Sequence, residues 1–188
     1  MTLTEFYNLQ PEWNRTDKGT YHAYIQEYYT NIFSEIRNEN LKILEIGVLD
    51  GRSIKFWNDW FTSAEIIGMD IDQKSRAFID ANNYKVIWGD AYNQTLTELF
   101  QNSYFDFIID DGPHTLDSQL YASTNYFKKL KINGLLIIED IFDFNFVNEI
   151  ENHVKNTLPS DSYEFKCFDF RKSKNRFDDV IIEIKRLK

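Results

Sequence analysis

The chain has 188 residues, with 21 lysines and arginines against 30 aspartates and glutamates, giving a formal net charge of −9. That length suits one domain spanning residues 1–188, and a content of 43% hydrophobic and 16% aromatic residues is enough for a packed core, which excludes disorder and a disulfide-stapled mini-fold. The acidic balance opposes a nucleic-acid backbone or an anionic membrane as partner, and the single cysteine, Cys167, permits neither an intramolecular disulfide nor a cysteine-rich zinc site, which fits a reducing cytoplasm.

Neither a signal peptide nor an apolar run long enough for a membrane span is read in the chain. From Tyr21 to Arg37 apolar residues recur with helical spacing, predicting an amphipathic helix within an N-terminal helical extension, residues 1–40, over the site. Its aromatic stripe suits helix-to-sheet packing or an interface between copies of the chain, as in a homo-oligomer. Beyond it the period switches repeatedly. Strands are predicted over Leu41–Ile46, Glu65–Asp70, Tyr84–Trp88, Tyr104–Asp110 and Gly134–Glu139. Helices are predicted between them over Arg52–Phe61, Gln73–Asn82, a short stretch ending at Leu96–Phe100, and Leu116–Lys131. A helix over Phe144–Leu158 and a hairpin of Tyr163–Phe170 with Val180–Ile184 complete the pattern. The expectation is an α/β, doubly wound, mostly parallel seven-stranded Rossmann-like sheet with an antiparallel last strand. Ligands should bind at the carboxyl ends of its strands.

Three strand ends carry candidate binding residues. In Ile43–Gly51, a strand runs into Glu45-x-Gly47-x-x-x-Gly51 and then a helix, so the backbone can turn tightly and offer unpaired amides to a ligand. Glu45 repels a pyrophosphate but suits an ammonium group; the alternative is an ordinary turn with Glu45 solvated. Asp70 ends the next strand and can accept hydrogen bonds from ribose hydroxyls. Asp90, after Trp88-Gly89, can receive an adenine amino group. Either acid also suits a helix cap or turn.

Together these residues resemble the class I S-adenosylmethionine-dependent methyltransferases. The resemblance implies that Glu45, Gly47 and Gly51 hold the methionine part of S-adenosylmethionine, that Asp70 holds the ribose, and that Asp90 faces the adenine. It also places Lys18 and Asp110 among the cofactor-binding residues.

Two further segments, Tyr104–His114 and Gly134–Ile141, put Asp111, Glu139 and Asp140 at the ends of consecutive parallel strands. Converging carboxylates call for a hard cation such as Mg²⁺, unless they are helix caps on a solvated rim. His114 lies three residues past Asp111 and suits a general base, or simply a cap of the following helix. These segments, with Thr16-Asp17-Lys18, His22 and Tyr24, resemble the Mg-dependent sugar O-methyltransferases of macrolide biosynthesis, the mycinamicin and macrocin type, and the cephalosporin-hydroxylase-like proteins. By that resemblance Asp111, Glu139 and Asp140 hold Mg²⁺ and His114 is the catalytic base. The implied acceptor is a small molecule or glycan, with no nucleic acid and no membrane involved. The rival readings are other metal chemistry of the hydroxylase-like group and a non-catalytic fold relative.

Departures from that pattern are Pro113 in place of serine, Gly19 in place of an aromatic residue, and Ile141-Phe142-Asp143 in place of a polar, aromatic segment; the chain is also shorter. The acceptor therefore does not follow from the resemblance. Of the remaining residues, His153 reads as surface, Cys167 as core, and the run Arg171, Lys172, Lys174 and Arg176 as a solvated turn or an anion-attracting tip. Trp57, Trp60 and Trp88 read as packing, while His22 is divided between packing and closure of the pocket.

Overall fold

The computed structural model describes all 188 residues. Seven strands, β1 (Lys42–Ile46), β2 (Glu65–Asp70), β3 (Lys85–Trp88), β4 (Phe105–Asp110), β5 (Leu130–Ile138), β6 (Tyr163–Asp169) and β7 (Val180–Arg186), form one sheet in the order β3-β2-β1-β4-β5-β7-β6. The first five pair in parallel, and β7 runs antiparallel to both β5 and β6. The sheet is therefore mostly parallel, as the alternating periods predict, with its reversal at β1, where ligand clefts of such sheets open.

Helices α1 (Leu3–Leu9), α2 (Asp17–Thr20), α3 (Thr30–Phe33), α4 (Arg52–Trp60), α5 (Arg76–Ala81), α6 (Gln94–Thr97), α7 (Leu116–Tyr121) and α8 (Asn145–Thr157) cover both faces. None is long and apolar enough to cross a membrane. Successive strand residues point to opposite faces, and the core divides accordingly. Ile43, Ile109, Ile137 and Ile181 pack against the N-terminal helices and α4 with Trp57 and Trp60. Their neighbours Leu44, Ile108, Leu136, Ile138 and Ile182 pack against Tyr126 and the apolar side of α8.

Two predicted helices are broken. The stretch predicted as Tyr21–Arg37 contains a π-helical turn over Ile25–Tyr29. The wider turn lets consecutive Tyr28 and Tyr29 both face inward, one hydroxyl donating to Glu183 at 2.7 Å and the other to Glu139. The stretch predicted as Leu116–Lys131 continues past α7 as a π turn and a 3₁₀ turn. It gives way to β5 at Leu130, ahead of the predicted start at Gly134, because Leu130 pairs with Phe105 across a register shift. Cys167, expected in the core, is exposed on the edge strand β6.

The strand ends interlock. Gly47 donates to Met69 O and Asp111 donates to Ile46 O, both at 2.8 Å. Gly47 has φ +88°, and a Cβ there would stand 1.9 Å from Asp111 O. The β1 loop thus lies against β4 only because this residue is glycine. Two carboxylates are sealed beneath these loops. Burial pushes Glu45 up to about 7 against the pull of Lys18, and burial likewise pushes Asp110 up to about 7, opposed by the hydrogen bond from Tyr92.

Gly47→Ala should cost about 2–4 kcal/mol through left-handed strain and the backbone clash, read as a lowered urea midpoint; an unshifted midpoint would show that the loop can move away. Because the folded state holds the Asp110 and Glu45 protons more tightly than the unfolded chain, their contribution to stability is full below the ordinary carboxylate range. It is lost as pH rises through about 7. In chelator-treated protein the thermal midpoint should therefore fall between about pH 5 and 8, and Asp110→Asn should shrink that fall. An equal fall in the variant would contradict the assignment.

Candidate active site

The carboxyl ends of the parallel strands open into a cavity of about 510 Å³, within the roughly 300–1,000 Å³ of small-molecule pockets. Thr16 and Asp17 of the N-terminal segment form part of its wall, beside Gly47, Val48, Leu49, Asp70, Asp72 and Asp90. One pole carries Asp111, His114 and Asp140.

Asp70 shapes the β1 loop from the neighbouring strand. Its Oδ2 accepts from Val48 N and Leu49 N, each at 2.8 Å, and its Oδ1 accepts from Asp72 N at 2.7 Å. Fixed in this way, Asp70 presents a preorganised anion to the cavity. Asp90 is exposed there, its Oδ1 taking Tyr92 N at 2.9 Å.

Of the residues expected to contact a cofactor, Gly47, Asp70 and Asp90 reach this cavity, whereas Lys18, Glu45, Gly51 and Asp110 do not. Each of these four has an internal partner instead. Gly51 begins α4 with its open side toward the Phe78 ring. Asp110 Oδ1 accepts from Tyr92 OH at 2.5 Å. Glu45, fully buried, accepts from Ser53 Oγ at 2.9 Å and Trp57 Nε1 at 3.1 Å. It does face an ammonium group, but that group is Lys18, at 3.7 Å.

Lys18 is itself buried, its Nζ 2.5 Å from both Asp111 Oδ2 and Glu139 Oε2. Burial disfavours the ammonium, yet Asp111, Glu139 and Glu45 together hold it well above the ordinary lysine range, so it stays charged.

The carboxylate trio expected to hold a metal is therefore not assembled in the expected form. Glu139 and Asp140 follow β5 directly, and with Asp140 in a left-handed conformation the two side chains point to different partners. Glu139 turns to Lys18 and Tyr29. Asp140 turns to the cavity, where its Oδ2 lies 3.8 Å from His114 Nε2. Asp111 Oδ1 is 3.9 Å from the same nitrogen, and one ligand atom from each of the three residues lies within 4.8 Å of the others. Burial, followed by the charge of Asp111, pushes Asp140 up to about 6. A cation placed here would relieve that repulsion. Two carboxylates with open positions match the way Mg²⁺ is commonly held, so Asp111 and Asp140 fit such an ion and Glu139 does not.

Tyr24 and His22, which belong to the element that carries the resemblance, help to hold this pole, together with Gln119, which no motif marks. Tyr24 OH donates to Asp140 Oδ1 at 2.7 Å. His22, stacked on Tyr24, has its Nδ1 2.6 Å from Asp179 Oδ1, so it closes the N-terminal segment onto the hairpin. Gln119 Nε2 reaches Glu139 O and Asp140 O at 3.4 Å each. In the basic hairpin tip Arg171 is paired to Asp169 and Arg176 to Asp178, while Lys172 and Lys174 are exposed.

Residues 44–141 match a family described as a methyltransferase domain. The demethylmacrocin O-methyltransferase of Streptomyces fradiae is 32% identical over 149 residues, 74% of this chain and 35% of that protein. The mycinamicin VI 2''-O-methyltransferase of Micromonospora griseorubida is 29% identical over 136 residues, 68% of this chain and 34% of its own. The chain thus spans about a third of the length of these relatives. Among solved structures, the mycinamycin-pathway methyltransferase MycE in complex with Mg, SAH and mycinamycin VI superposes with a TM-score of 0.74 at 20% identity, over 100% of this chain and 54% of that one; this likeness is one of fold. With just over half of its length matched by the family, the chain belongs to the methyltransferase domain family.

Proposed function

We propose that this chain transfers the methyl group of S-adenosylmethionine to a hydroxyl oxygen of a sugar, glycan or related small molecule, with a hard divalent cation, Mg²⁺ foremost, at Asp111 and Asp140. The observation that carries the reading is the position of His114. Its Nε2 lies 3.9 Å from Asp111 and 3.8 Å from Asp140, two carboxylates that line the same cavity as Gly47, Asp70 and Asp90. Relatives that act on macrolide sugars support the hydroxyl acceptor.

S-adenosylmethionine supplies a sulfonium methyl that needs little activation, and a divalent cation when bound makes an acceptor hydroxyl more acidic. The chain's work is then to aim and to deprotonate. Gly47 would let the backbone come close to the methionine part, Asp70, which fixes the loop, would face the ribose, and Asp90 would receive the adenine amino group. Asp111 and Asp140 would hold the cation beside the acceptor, and His114 Nε2 would take the acceptor proton as the oxygen–methyl bond forms and the sulfur–methyl bond breaks, leaving S-adenosylhomocysteine. Phe142 and Phe177, exposed with ring centroids 5.0 Å apart, flank the loops that carry Asp140 and Asp179. They offer an apolar face to an acceptor ring.

With purified protein, a panel of sugar acceptors should yield S-adenosylhomocysteine and a methylated product; cofactor binding with no product from any hydroxyl acceptor would favour a binding role. His114→Ala should lower turnover about 10²- to 10⁴-fold while cofactor affinity, read by calorimetry, stays the same. Turnover that survives this change would remove the imidazole from proton transfer.

A further inference from the structure

We propose that Lys18 is a resident counter-ion that withholds Glu139 from the divalent cation and so sets how tightly this pole binds it. The inference concerns the metal part of the proposed function, and its test reads metal binding alone, without cofactor or acceptor.

An ammonium has three donors and no acceptor. Here it faces three carboxylates, Asp111 and Glu139 at 2.5 Å and Glu45 at 3.7 Å, from a side chain that is 1% exposed. The second oxygen of Glu139 takes the Tyr29 hydroxyl, so both oxygens already accept a hydrogen bond and the Lys18 ammonium occupies the side that faces Asp111. Asp111 is shared, with Oδ2 on Lys18 and Oδ1 on the His114 side. A divalent cation drawn between Asp111 and Glu139 would meet the ammonium at close range in a poorly screened environment, where like charges repel strongly. The cation is thereby confined to Asp111 and Asp140, and one of those ligands already gives part of its charge to Lys18. With Lys18 neutral, Glu139 would regain a free oxygen and the site would become the three-carboxylate cluster that its sequence suggests.

The test is titration of the full chain with Mn²⁺, following the free ion by electron paramagnetic resonance, and with Mg²⁺ by calorimetry. Lys18→Met should tighten binding by about tenfold or more, since it adds a carboxylate and removes a like charge. Glu139→Gln alone should leave affinity within about twofold, and Glu139→Gln combined with Lys18→Met should cancel the gain. If Glu139→Gln alone weakens binding as much as Asp111→Asn does, Glu139 is a direct ligand and the proposal is overturned; an unchanged affinity in Lys18→Met overturns it as well. Removing Lys18 strands buried carboxylates, which is destabilising. Should Lys18→Met fail to fold, the comparison of Glu139→Gln with Asp111→Asn decides alone. Binding by Lys18→Met but not by the unaltered chain would remove the metal from the proposed function and still support the role of Lys18. Binding by neither would overturn both.

Discussion

The ammonium of Lys18 is the charge around which this end of the molecule is organised. Glu45, Asp111 and Glu139 come from three neighbouring strand ends, and three carboxylates brought together in a buried place repel one another unless a cation compensates. Lys18 supplies it from a helix that is four residues long, too short to be stable alone. The ion cluster therefore fixes the N-terminal segment on the sheet as much as the segment delivers the ion. Buried ion pairs gain little net stability because desolvation offsets the attraction. What this one specifies is arrangement: which way Glu139 turns, and where residues 16–29 lie over the cavity.

The opposite side of the same strand ends is held in strained backbone. Leu49, His114 and Asp140 all have left-handed conformations, with φ of 47°, 55° and 54°, at a cost of order 1–3 kcal/mol each. They follow β1, β4 and β5, whose inner positions are buried aliphatics on both faces. A stiff parallel sheet can hold such residues where an independent loop would relax. Strain at three positions around one cavity fits a preorganised site, since the side chains are aimed before any ligand arrives.

Most of the fold is legible in the sequence because a parallel sheet covered on both faces writes itself as short aliphatic runs, and each of the five runs from Leu41 to Glu139 coincides with a strand to within a few residues. The candidate acids are legible too, as carboxylates just past those runs. Direction is not. Whether Glu139 or Asp140 faces the cavity depends on the left-handed turn of the backbone just past β5, and the Glu-Asp pair looks the same either way. The resemblance implies a cofactor contact for Lys18, whereas its ammonium meets carboxylates of the chain itself, a placement that only the tertiary structure brings about. The π turns were invisible because apolar spacing of three and four continues through them, while the backbone adds a residue to the turn. The exposure of Cys167 follows from sheet order, which places β6 on an edge, something that its apolar neighbours do not reveal.

The pairings at this pole span long stretches of chain. Lys18 reaches Glu139 across 121 positions, and His22 reaches Asp179 across 157. Contacts of such separation carry the largest loop-closure entropy and form late, after the sheet supplies a platform. During synthesis the N-terminal segment must wait, with its tyrosines uncovered, until β5 and the final hairpin have emerged. The cavity wall made by Thr16 and Asp17 is thus among the last parts of the molecule to set, and a chain paused before β7 would present the five parallel strands with this pole still open.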